Sequence, residues 1–128
     1  MELGEFIKIV QEHGAFGSAE DAEKAAHAVL DIFGRRLSFK RSAELSDQLP
    51  RIFGDYLLHP DRAEAFGRDE LLRRVAEREG ISRADAERHV RAVLSVVAEV
   101  ASSALLEGVF SELPDDIRDL FLTSKVKA

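Results

Sequence analysis

Apolar residues return at every third or fourth position through most of this chain, and they do so in the same order twice. Leu3, Phe6, Ile7 and Val10 mark one face of a first helix, from about Leu3 to His13, at the spacing of a helical period. Gly14 reads as its stop. Ser18 then reads as an N-cap with Asp21 at the third helical position, where a short carboxylate meets exposed amides and the positive end of the dipole. A second helix is therefore expected from about Ala19. On a helical wheel its apolar positions Ala22, Ala25, Ala26, Val29, Leu30, Ile32, Phe33 and Leu37 spread over ~160°, against the ~100° stripe of a helix resting on a surface. Such a helix is packed on more than one side. Its polar face, Glu23, Lys24, His27, Asp31 and Arg35, is expected in solvent, with Glu23 to His27 and Asp31 to Arg35 at i,i+4 spacing.

Ser38 caps a third helix, expected through Gln48, that offers Leu45 and Leu49 to the core. Pro50 opens a short fourth helix carrying Ile52, Phe53, Tyr56 and Leu57, because proline suits a helical first turn. His59-Pro60 closes it, since the residue before proline avoids helical geometry.

From Gly67 the programme runs again. Leu71, Leu72 and Val75 answer the first helix at an offset of 65, and after a turn shorter by one residue the offset settles at 64. DAEKAAHAVL (Asp21 to Leu30) returns as DAERHVRAVL (Asp85 to Leu94). Between residues 18–58 and 82–122, twelve of 41 positions are identical, where roughly three would be expected by chance. The expected architecture is all-α: an eight-helix bundle of two tandem four-helix repeats in pseudo-twofold relation. Repeat one would span about 3–58, a connector 59–67 and repeat two about 68–122, with a short polar tail 123–128, all in one helical domain. Modules of ~60 residues would be marginal alone, which favours one shared core.

These residues carry a family resemblance. The Ala28-Val29-Leu30 segment, the run RVAEREGISRADAERHVRAVL (Arg74 to Leu94) and the paired turns Gln48-Leu49-Pro50 and Glu112-Leu113-Pro114 are similar to the bacterial domain of unknown function 2267 family. The likeness extends from about Phe6 to Leu122. It implies an all-helical bacterial protein of two related halves and brings no catalytic residues. The chain departs from the usual pattern after Ser38, where Phe39-Lys40-Arg41 begins the helix.

Composition narrows the functions. The absence of cysteine removes disulfides, thiol nucleophiles and cysteine-held metal centres. No run of eighteen apolar residues occurs and the start lacks a secretory pattern, so a cytoplasmic protein without membrane association is expected. The net charge of −6 divides as −4 and −2 between residues 1–64 and 65–128, and neither half offers the basic surface of a nucleic-acid binder. Arg73, Arg74, Arg78, Arg83, Arg88 and Arg91 form an arginine run, but six carboxylates interleave between Asp69 and Glu87, which predicts a salt-bridged face.

No catalytic, cofactor-binding or metal-binding residue is assigned, and no cofactor is expected. Glu23 and His27 could serve a helical metal site, but their counterparts Glu87 and Arg91 form an ion pair instead of a second ligand set. His89 lies in the apolar arc where the other copy has Ala25, and is expected as a neutral packing histidine bonded to a carbonyl or carboxylate, with pH sensitivity as its functional alternative. Arg36 lies in the arc where the other copy has Val100, and is expected to satisfy terminal carbonyls, with a buried anion site as its alternative. His89, Arg36, Glu23 and His27 are thus the candidates for a polar site on the central helices. The expected function is a non-enzymatic interaction, scaffold or regulatory role, with a protein partner or self-association. An enzyme or a metal- or anion-dependent regulator, with its site at the interface of the repeats, is the alternative.

Overall fold

The computed structural model describes residues 1–121; the expected polar tail and Leu122 lie outside the described residues. Eight α-helices and no strand occur among them: α1 (Leu3–Gly14), α2 (Ala19–Arg36), α3 (Phe39–Ser46), α4 (Arg51–Tyr56), α5 (Arg68–Glu79), α6 (Arg83–Val100), α7 (Ser103–Ser111) and α8 (Asp115–Arg118), which runs into a 3-10 turn, Asp119–Phe121. Four serines start helices. The Oγ of Ser18 accepts from the Asp21 amide at 3.1 Å, that of Ser82 from Asp85 at 3.1 Å, that of Ser38 from Arg41 at 3.2 Å and that of Ser102 from Leu105 at 3.3 Å. Each bond satisfies an amide that the helix itself leaves open.

The 18-residue helices α2 and α6 pack on each other, and α1 and α5 each pack on both. Burial on several sides explains the wide apolar arcs. Ala22, Ala25, Ala26, Val29, Leu30 and Phe33 of α2, and Ala86, Val90, Val93, Leu94, Val96 and Val97 of α6, are all closed to solvent and belong to one continuous apolar cluster. The helix α4 lies on α2, the 3-10 turn lies on α6, and α3 meets both α4 and α7. Among the described residues no helix is long and apolar enough to cross a membrane.

Several expected details differ. The apolar face of α1 begins at Phe6, whose ring meets Phe53 at 4.8 Å; Leu3 remains 43% exposed, as does Ile52 of α4. Helix α3 ends at Ser46, so Leu49 reaches the core from the turn that follows. Gly14 is the last residue of α1, and Ala15 takes the left-handed position at φ 51°. The reason is steric: a Cβ at Gly14 would collide with the Phe16 ring, which folds back over it. At the end of α5 the same left-handed position is held by Gly80, at φ 68°. Ala15→Gly is expected to raise unfolding free energy by about 0.5–1 kcal/mol, as relief of left-handed strain exceeds the glycine entropy cost. Urea denaturation beside the wild type measures it.

The segment between α4 and α5 is tied to α2 at several points. The Glu64 amide donates to the Arg35 carbonyl at 2.8 Å, Arg36 Nε donates to the Phe66 carbonyl at 2.7 Å, and Phe66 is buried under the Arg74 guanidinium, 4.3 Å from its centroid. Phe66 packs as part of the core, whereas residues 60–65 stay exposed.

Candidate functional site

Three adjoining depressions run along the exposed face of α2. The first, about 260 Å³, lies between the turns that precede α2 and α6 and is lined by residues including Phe16, Asp21, Glu79, Ile81, Arg88 and His89. The second, about 180 Å³, adds His27, Ala28 and Arg78, and the third, about 290 Å³, adds Glu20, Glu23 and Tyr56. Lys24 borders all three, and the series, called the groove along α2 below, has Phe16 in its first depression and Tyr56 in its third. Asp21 with Asp85, and Lys24 with Arg88, stand 64 positions apart; Phe16 and Ile81 stand 65 apart. The first depression therefore takes matching contributions from both stretches of sequence.

Three of the four candidate residues meet this groove. Glu23 and His27 line its far end, where the His27 ring stacks on Tyr56 at 3.8 Å and 15° instead of pairing with Glu23. His89 lines the near end. Arg36 does not join them: it sits at the last position of α2, and the carbonyl it reaches belongs to Phe66 in the connecting segment.

The densest chemistry surrounds His89. Its Nδ1 lies 3.0 Å from both oxygens of Glu79, and the two side chains are 11% and 8% exposed. A carboxylate can only accept, so the network assigns the ring proton to Nδ1 and leaves Nε2 as an acceptor. Arg88 Nη2 fills that position at 3.3 Å, while Arg88 Nη1 donates to the Gly14 carbonyl at 2.6 Å. The Phe16 ring completes the enclosure, 4.8 Å from the imidazole and 5.6 Å from the Arg88 guanidinium. This cluster joins α1, α5 and α6. With Nε2 already accepting from Arg88, the imidazole has no free lone pair for a metal or for a substrate proton in this arrangement. Among the described residues no three histidine or carboxylate side chains gather closely enough to hold a metal ion.

Other charges are spent on internal pairs. Asp31, expected in solvent, has a side chain only 14% exposed, because Arg78 and His59 close on it at 2.6 and 2.9 Å. Each of the six arginines in the run meets a carboxylate: Arg73 with Glu70 and Glu77, Arg74 with Glu64 and Glu70, Arg78 with Asp31, Arg83 with Asp69, Arg88 with Asp85, and Arg91 with Glu87. Hydrogen bonds from Arg73 and then Arg74 hold Glu70 down at about 2, against an ordinary 4.5. Arg74 lowers Glu64, and Arg91 with Arg68 lowers Glu87.

A carboxyl whose folded value lies below its unfolded value contributes stability that is complete above the unfolded value and lost as pH falls toward the folded one. Thermal stability is therefore expected to fall as pH drops from about 4.5 toward about 2, through protonation of Glu70, Glu64 and Glu87. Glu70→Gln should shrink that fall, and added salt should shrink it too, because these pairs are exposed. A midpoint series against pH with both proteins is the measurement.

Sequence reasoning missed Glu79, which read as one more surface carboxylate. A signal was present: at the offset of 65 its counterpart is Gly14, and at 64 the counterpart of His89 is Ala25. Both members of the pair therefore stand where small residues lie 65 and 64 positions earlier. Arg88 was visible only as part of the arginine run, and nothing local announced that it would reach the Gly14 carbonyl 74 positions away.

A family model described as "Uncharacterized conserved protein (DUF2267)" matches residues 4–120. No curated protein matches the chain.

Proposed function

The chain belongs to the DUF2267 family, and from that premise we propose a non-enzymatic protein-interaction, scaffold or regulatory role in the bacterial cytoplasm, with the groove along α2 receiving the partner. The observation that carries this reading is the groove's form: open, lined by acids and bases together, with an aromatic ring in its first and third depressions. Compact small-molecule ligands favour concave pockets that enclose most of their surface. An extended or helical polypeptide segment, presenting charges of both signs, suits an open polar trench better. The partner is a protein or a second copy of this chain, and neither nucleic acid nor membrane, because the net charge is −6 and the six arginines from Arg73 to Arg91 are engaged by carboxylates within the fold.

The architecture behind the groove is one domain of two tandem four-helix repeats about a pseudo-twofold axis, with residues 59–67 as connector. Reciprocal contacts support it. The Ser38 amide donates to Glu112 Oε1 at 2.8 Å and the Ser102 amide donates to Gln48 Oε1 at 2.8 Å, which is one contact made twice at an offset of 64. Likewise α1 packs on α6 as α5 packs on α2. On this reading the groove's near end lies at the junction of the repeats.

A photo-crosslinking residue in place of His27, which is exposed in the groove, tests the role, with the same residue in place of Glu107 on α7 as the comparison. Size-exclusion chromatography with light scattering accompanies it. A protein adduct specific to position 27 is expected; a strictly monomeric protein with no such adduct in the source cell overturns the proposal.

A second reading has one observation in its favour. A carboxylate-oriented imidazole such as Glu79–His89 is the arrangement used by metal ligands and general bases, so an enzyme, or a metal- or anion-dependent regulator, could use the repeat junction once Arg88 withdraws. Stoichiometric metal in untagged protein, or a large thermal shift with a single small ligand, would favour it.

A further inference from the structure

We propose that Glu79, His89 and Arg88 form a proton-operated latch that fixes the α1–α2 turn to α6 when the imidazole is neutral and releases it when the imidazole is protonated. As regulation of the groove it rests on the interaction reading above, but the latch itself is a property of the free protein. In the neutral ring Nδ1–H donates to Glu79 and the bare Nε2 accepts from Arg88 Nη2 at 3.3 Å. That bond orients the guanidinium so that Nη1 reaches the Gly14 carbonyl at 2.6 Å and the guanidinium carbon stands over Phe16. Arg88 is thus held at one end by the ring and holds α1 with the other.

Adding a proton changes the donor count. The imidazolium carries N–H on both nitrogens, so a donor on Nε2 faces the donor Nη2, and two positive charges confront each other at close range. One group must move. His89 is enclosed and gains an ion pair with Glu79, whereas the Arg88 side chain is 48% exposed and has Asp85 at 3.8 Å on its own helix. The other charges facing the cluster are Asp21 and Lys24 of α2, while Arg78, one residue before Glu79, is engaged by Asp31. Asp21 and Asp85 give the departing guanidinium two carboxylates, and Lys24 gives it no reason to stay. Withdrawal leaves the Gly14 carbonyl without its charged donor and uncovers Phe16, which lines the groove's first depression.

The geometry is confined to one copy of the sequence. The counterpart of His89 is Ala25 and that of Glu79 is Gly14, so the α5–α6 turn has no equivalent fastening. The expectation is correspondingly local: acid loosens the Gly14–Phe16 turn and leaves the turn at Gly80 unchanged.

Amide hydrogen exchange followed by NMR on the full chain, at about pH 7.5 and about pH 5 and corrected for intrinsic exchange, tests the latch. Protection of the Ala15 and Phe16 amides, which donate to Glu12 and Gln11, is expected to fall about tenfold at the lower pH, the scale of one lost charge-assisted hydrogen bond. Protection of the Ile81 amide should hold. His89→Gln, whose amide can donate to Glu79 and accept from Arg88 without titrating, should keep protection at both pH values, and Arg88→Leu should show the low protection at both. Side-chain nitrogen shifts of the wild type, which need no variant to fold, should report the Nδ1–H tautomer at the higher pH. An Nε2–H tautomer there, equal protection at the two pH values, or the same acid loss in His89→Gln overturns the proposal. Because every readout is on the free protein, its failure leaves the groove's partner untouched, and a missing partner leaves the latch untouched.

Discussion

Gly34→Ala is expected to destabilise the fold by about 2–3 kcal/mol, despite replacing a helix-interior glycine with the best helix former. Propensity alone would favour alanine by about 1 kcal/mol. The opposing effect is a backbone collision. A Cβ built at Gly34 falls well inside contact with the Leu57 carbonyl oxygen and lies 2.7 and 2.8 Å from the Leu57 carbonyl carbon and Cα. A peptide group cannot rotate out of the way as a side chain can, so α4 would have to retreat from α2. The retreat would carry Phe53 and Leu57, both fully buried, and would part the Phe53 ring from Phe6. The control lies 64 positions on, at Ala98 in α6. Ala98→Gly should cost about 1 kcal/mol, for the ordinary reason that glycine weakens a helix interior. Urea midpoints for the two variants should thus both fall, for opposite substitutions. A midpoint for Gly34→Ala at or above the wild type would mean that α4 does not lie against α2 this closely.

Gly34 also marks the boundary of what the sequence alone can disclose. Caps and core faces are local facts: Ser18 with Asp21, Ser82 with Asp85, and the arcs of α2 and α6 were legible because one helix's period and first turn determine them. A close approach between α2 and the end of α4 involves residues 23 positions apart and no side-chain signal beyond a glycine. Asp31 shows the same limit from the polar side. Its position on the wheel is solvent-facing, yet Arg78 from α5 and His59 from the connecting segment cover it, and neither is visible from α2's own pattern. Charge is read from sequence; its partner is read from packing.

The candidate groove divides in the same way. His27 and Glu23 follow from the polar face of α2, and His89 follows from its misfit within the apolar arc. What the sequence could not say is that Tyr56 would stack on His27, or that Arg36 would turn away to Phe66. The matched stretches 64 and 65 positions apart say more together than either does alone. Their shared residues report caps and packing, whereas the places where small residues in one become Glu79 and His89 in the other locate the polar cluster.

His89→Ala is the second substitution expected to have a large effect, about 2–4 kcal/mol of lost stability, from a cavity combined with a stranded carboxylate. The Glu79 side chain is 8% exposed and its charge is answered by the imidazole N–H, so truncating the ring leaves an enclosed anion without its donor. Glu79→Ala strands a neutral N–H instead, and should cost less, about 1–3 kcal/mol. The informative protein is the double variant. Small residues, Gly14 and Ala25, stand 65 and 64 positions earlier in the chain, and with both partners gone no buried polar group is left unpaired. Its cost should fall short of the sum of the single variants by about 1–2 kcal/mol, the range seen for contacting groups. Chemical denaturation near neutral pH, where Glu79 is charged in the unfolded chain, gives the four values needed. Strict additivity would mean that the two side chains pack side by side without acting on each other. In that case Arg88 would have no oriented acceptor to follow, and both the floor of the groove and its response to protons would lose their physical basis.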